Sequence, residues 1–163
     1  MGTFKNREAM EFTCKPGEYI FRVLSFDKGI SKGAKSAGDD QYKLKVLIEQ
    51  PNVLVQAYLT DSENEALAAQ CDCFLKCTSG GIEPPIGINE PWNFDADDAR
   101  GTGARFVDLI GLRGWCYVGW EDRPKDAPAT WEPKYNKVKT WLTNKPKLPR
   151  HVEPAVSDEP DWN

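Results

Sequence analysis

The chain has 163 residues, 40% of them apolar, with 21 basic and 25 acidic side chains and a formal net charge of −4. That is enough for one domain with a real core and too little for two comfortable ones, and no run of about 18 apolar residues is present to span a membrane. Every Lys and Arg lies at or before Arg150, so the last thirteen residues, with four carboxylates, carry the whole net charge.

The opening MGTFKNREAMEF is charged and lacks the apolar stretch of a signal peptide. Asn6 stands where a myristoylation signal would place Ser or Thr. A cytoplasmic location is therefore expected. Five cysteines (Cys14, Cys71, Cys73, Cys77, Cys116), odd in number and unevenly spaced, read as reduced thiols.

Pro16-Gly17 opens GEYIFRVLSFD, rich in aromatic and branched residues, which reads as a long strand. Its apolar phase slips from Tyr19, Phe21 and Val23 to Leu24 and Phe26, which predicts a bulge or sharp bend. Residues 28–40, KGISKGAKSAGDD, read as a Gly/Ser/Lys loop. QYKLKVLIEQ alternates, with Tyr42, Leu44, Val46 and Ile48 on one face and Lys43 and Lys45 on the other. Pro51-Asn52 marks a turn into VLVQAYLT, with Val53, Val55, Ala57 and Leu59 inward.

The period then changes. Thr60 or Asp61 can cap a helix, Glu63 completes a capping box with Thr60, and Ala66, Leu67, Cys71, Phe74 and Leu75 recur at helical spacing before Ser79-Gly80-Gly81. Residues 82–105 read as a long irregular loop, and RFVDLIG as a short helical turn. LRGWCYVGW is a strand with Leu112, Cys116 and Val118 inward and Arg113, Trp115 and Tyr117 outward. After a polar, Pro-rich connection over 121–134, YNKVKTWLT is the last strand, with Val138 and Leu142 inward and Lys137, Lys139 and Trp141 outward.

Three strands, a helix and two strands describe a mainly β domain. A helix between strands three and four of five is the arrangement of the OB-fold, a partly open Greek-key barrel, although an SH3-like barrel or small β-sandwich gives nearly the same pattern. The expected organisation is an OB-fold-like domain over 1–147 and a flexible, disordered acidic tail over 148–163, too polar to bury a core of its own.

The residues left outside the barrel carry the functional signal. They are Lys43 and Lys45, Tyr58, Arg113, Trp115 and Tyr117, and Lys137, Lys139 and Trp141, joined by Lys28, Lys32 and Lys35 of the first loop. Cations interleaved with aromatics suit single-stranded nucleic acid, whose phosphates need a basic track and whose bases need flat surfaces worth about 1–3 kcal/mol each. The plainer reading is that Trp115 and Trp141 plug the barrel ends and that the lysines are an ordinary solvated face.

On PGEYIFRVLSF with its Gly/Ser/Lys loop, QYKLKVLIE, VDLIGLRGWCYVGW, YNKVKTWL and an acidic tail ending near an aromatic, the chain resembles the small single-stranded DNA-binding proteins of bacteriophages. About two thirds of it is covered, in pieces. The resemblance implies an OB-fold whose groove holds single-stranded DNA without sequence preference, in replication or recombination. It further implies a tail that recruits replication or recombination proteins and competes for the groove, which here falls to Asp158, Glu159, Asp161 and Trp162. Asn163, rather than an apolar residue, ends the sequence. No membrane contact is implied, and a homo-oligomer is compatible with the role.

Catalytic chemistry finds little support. The single His, His151, sits at the tail junction, so no His-based triad or His-rich metal site forms within the barrel. Cys71, Cys73 and Cys77 lack a second CxxC, and on a helix Cys71 points away from the other two. GISKGAKS has the wrong spacing for a phosphate loop and precedes a strand. Asp95, Asp97 and Asp98 read as a solvated loop rather than a nuclease site. The expectation is a non-enzymatic binder with no cofactor and no metal. The alternatives are a protein-interaction or virion β-barrel module and, behind it, a small metal-dependent nuclease.

Overall fold

The structure, a computed structural model, describes residues 12–33 and 36–152. The long strand β1 (Gly17–Ile30) pairs antiparallel with β6 (Arg113–Trp120) through its first part and with β2 (Asp40–Ile48) through the rest. It can serve two partners because it bends. The register passes from Val23↔Val46 to Ser25↔Lys45, leaving Leu24 unpaired and exposed while Phe26 returns to the core side opposite Leu44. The phase slip in the sequence is this bulge.

β2 and β3 (Val53–Asp61) form a hairpin through Pro51-Asn52, with Asn52 in the left-handed region at φ 77°. Their alternation is as expected: Tyr42, Leu44, Val46 and Ile48 and then Val53, Val55, Ala57 and Leu59 are all buried. β3 continues through Thr60 and Asp61, so the helix α1 (Glu65–Cys77) starts later than the capping pattern predicts. Its cap is Asn64, whose Oδ1 accepts from the N–H groups of Ala66 and Leu67. Cys71, Phe74, Leu75 and Cys77 form its buried stripe. The helix end rests directly on β6: a Cβ at Gly114 would lie 2.7 Å from the Cys77 carbonyl oxygen, so only glycine fits there.

The segment expected to be irregular is partly ordered. It holds a two-residue strand β4 (Trp92–Asn93), the helix α2 (Ala96–Thr102) and β5 (Arg105–Phe106), which pairs parallel with β4. Arg105 and Phe106 are therefore strand, and the predicted helical turn over RFVDLIG does not form. Lys28 anchors this segment, donating to Asp95 at 2.6 Å and Asp98 at 2.9 Å. Phe94 packs edge-on against buried Tyr42, whose hydroxyl is pushed up to about 12, first by burial.

The last strand, β7 (Asn136–Leu142), corrects the sequence reading most. Its register with β6 runs Val118↔Val138 and then Tyr117↔Thr140, so Lys139 is a bulge residue. One extra residue reverses the phase beyond it. Trp141, expected outside, is 6% exposed and meets Phe21 and Phe74 edge-on at ring-centroid distances of 4.9 and 5.0 Å. Leu142 turns outward beside Trp115 instead.

The strands form one antiparallel sheet in the order β3-β2-β1-β6-β7, curled so that its two edges approach each other with α1 packed against both. No backbone ladder joins β3 to β7 among the described residues. Beyond β7 the chain remains attached. Arg150 donates to the carbonyls of Gly81, Asp108 and Ile110, and the His151 N–H donates to the Gly111 carbonyl at 2.8 Å. Gly111 has φ 86°, and a Cβ there would lie 2.7 Å from the His151 oxygen. The stretch 148–151, assigned to the tail from its polarity, is thus a strap on the barrel. No helix among the described residues is long and apolar enough to cross a membrane.

Candidate nucleic-acid interface

Where the edges of β3 and β7 stand apart, a groove of about 1130 Å³ opens over α1. Tyr58, 48% exposed, and Gln56 project from β3, and Lys45 reaches it from β2. Lys137, Lys139 and Thr140 enter from β7, and Tyr135, 69% exposed, from the connection before it. Trp141 and Val138 contribute apolar lining, with Gln70 and Cys73 of α1 beside them. The groove therefore combines phenol rings, three ammonium groups, neutral amides and the carboxylates of Glu121 and Asp122, a lining that suits a flat ligand rich in hydrogen-bonding edges.

Lys45, Tyr58, Lys137, Lys139 and Trp141, foreseen from the sequence, line this one groove. Trp141 does so as a core residue, not as a free ring. Lys43 lies opposite Tyr58 in the sheet register, and Tyr117 opposite Thr140, so both flank it. Arg113 and Trp115 do not line the groove. Lys32 is exposed in the β1–β2 loop. Lys35 and the tail residues Asp158, Glu159, Asp161 and Trp162 lie outside the described residues.

Many of these cations are already engaged. Asp122, at the start of the β6–β7 connection, accepts from Lys137 through Oδ2 and from Lys139 through Oδ1, each at 2.7 Å. Those two bonds, Lys137 first, hold its carboxyl down to about 2. Arg113 grips Glu49 with two bonds, Nε to Oε1 at 2.7 Å and Nη2 to Oε2 at 2.9 Å, which hold the Glu49 carboxyl below its ordinary range. Lys145 reaches Glu18 at 2.5 Å and lies over the Trp115 ring, 5.4 Å from its centroid. Lys45 makes no ion pair among the described residues. The local charge is therefore as balanced as the composition of the body suggests.

Compared with protein-family models and with curated proteins, the chain matches none.

Three features escaped the sequence reading, the first of them away from the groove. Arg22 lies on the outer face opposite Arg113, where its Nη1 donates to His151 Nδ1 at 3.0 Å. The alternation that buries Phe21 and Val23 already places it there. Tyr135 was hidden in a polar, Pro-rich connection, although an aromatic just before a strand is a usable signal. Asp122 had none, since its partners lie 15 and 17 residues away.

The other candidates do not assemble into chemistry. Cys71 and Cys77 are buried, their thiols both pushed up to about 12, first by burial, and they donate to the carbonyls of Thr60 and Phe74. High, buried thiols are poor nucleophiles. Asp95 and Asp98 are occupied by Lys28, and Asp95 also caps α2.

Proposed function

We propose that this protein binds single-stranded DNA with little sequence preference, using the groove between β3 and β7. The observation that carries the reading is the convergence there of Tyr58, Tyr135, Lys45, Lys137 and Lys139, from strands that are far apart in sequence. Rings of this kind hold bases of any identity by stacking, and amides such as Gln56 and Gln70 offer partners to base edges. The sheet order, with α1 between the third and fourth long strands, supports an OB-type barrel, in which an open face commonly holds oligonucleotides. A role in phage replication or recombination, in the host cytoplasm and with a tail that recruits partner proteins, belongs to the same proposal.

The reading is of a binder rather than an enzyme. Asp95 and Asp98, two of the three acidic residues nearest to a nuclease pattern, are tied to Lys28, and Cys14, Cys71, Cys77 and Cys116 are buried. A gel shift comparing single-stranded DNA, duplex and RNA tests it. Preferential retention of single-stranded DNA, alike for several sequences, is expected, and indifference to all three would overturn it.

One observation favours a second reading. β3 and β7 are both free sheet edges among the described residues, and an extended peptide could add to either. A stable complex with a protein and none with oligonucleotides would select it.

A further inference from the structure

The Asp122 pair differs in kind from the other ion pairs among the described residues. One carboxylate presents its two oxygens to two separate lysines, inside the groove, and is itself 69% exposed. A phosphodiester offers the same thing: two anionic oxygens on one centre. An ammonium makes equivalent charge-assisted hydrogen bonds to carboxylate and to phosphate. No other side chain anchors Asp122 among the described residues, and exposed pairs of this type are weak and easily exchanged.

We propose that Lys137 and Lys139 form a seat for one backbone phosphodiester, and that Asp122 is its resident stand-in, displaced when a polynucleotide enters. This rests on the reading of the groove as a nucleic-acid site and names which contact there bears the phosphate. The arrangement sets a threshold. An isolated anion gains little by replacing a carboxylate already in place, whereas a strand that also stacks on Tyr58 and Tyr135 makes several contacts at once. Lys137 and Lys139 are two residues apart on β7, a spacing that puts both ammoniums in reach of the same carboxylate. The Lys139 stem lies along Gly119, its Cγ 3.1 Å from where a Cβ would stand, which directs the ammonium toward Asp122.

The test uses the full chain and the anisotropy of a labelled oligothymidine at low salt. Asp122→Asn should tighten binding roughly 3- to 10-fold, and Asp126→Asn, on the same connection, should change it much less. In a Lys137→Gln/Lys139→Gln background the gain from Asp122→Asn should vanish. Wild-type binding that is unaltered by Asp122→Asn, or altered equally by Asp126→Asn, overturns the seat alone. A gain that persists without the lysines does the same. Failure of both wild type and Asp122→Asn to bind removes the seat and the groove reading together.

Discussion

Arg113 and Glu49 lie at one place on the outer face of the sheet, Lys137, Lys139 and Asp122 at another, and the two pair their charges on different terms. The first is a two-bond fork between partly buried side chains, beside Arg22 and the strap that ends at His151. The second is a single exposed carboxylate shared by two flexible ammoniums at the rim of a groove. A fork between planar groups is fixed in geometry and joins elements of the sheet, whereas an exposed ammonium pair holds little energy and reorganises readily. Cations that look alike in the sequence therefore divide into those that hold the barrel together and those that remain available to a ligand. Trp141 and Tyr58 divide in the same way among the aromatics.

The sharpest way to test that division is Trp141→Ala. It removes a ring packed against Phe21 and Phe74 and should cost about 3–5 kcal/mol in denaturant unfolding. Tyr58→Ala should leave unfolding nearly unchanged and weaken oligonucleotide binding by about 1–3 kcal/mol in a fluorescence titration. Equal effects of the two on stability would erase the distinction. Gly111→Ala meets both a left-handed backbone and the His151 oxygen, and should lower stability by more than about 1 kcal/mol.

Glu49→Gln should cost roughly 1 kcal/mol at neutral pH. Because the folded carboxyl of Glu49 is held down by Arg113, its contribution is complete above the ordinary carboxylate value of about 4.3. It is lost as pH falls through the lowered folded value, so the variant should show a flatter acid limb. Smallest of all, Lys45→Gln should reduce the salt slope of binding by roughly 0.7, the share of one phosphate contact. An unchanged slope would take Lys45 out of the groove's working set.

Much of the barrel was legible because β2 and β3 alternate without interruption, and the bulge in β1 declares itself as a slip within an apolar run. The bulge in β7 does not. Val138 and Leu142 are in phase with each other, so nothing local reveals that Lys139 is the extra residue and Trp141 the inward one. The start of α1 was misplaced because Thr60 and Glu63 mimic a capping box while β3 still runs through Asp61. α2, from ADDARGT, has too few apolar residues to show a period. The strap was hidden because its attachment uses backbone carbonyls of distant loops, which no composition reports. In the site, residue types were readable from alternation, but which cation meets which carboxylate depends on how the sheet curls.

The connectivity of β1 has a consequence for synthesis. Its first three residues find their strand partner only in β6, Gly17 opposite Val118, and Arg22 meets His151 across 129 residues of chain. At a translation rate of about 5–20 residues per second, the start of that strand waits roughly 5–20 s after it is made before its neighbour exists. During that interval Gly17, Glu18 and Tyr19 have no strand partner, whereas Phe21 can already pair with Ile48 of β2. The nascent chain thus carries an unpaired start of β1 until β6 has been made.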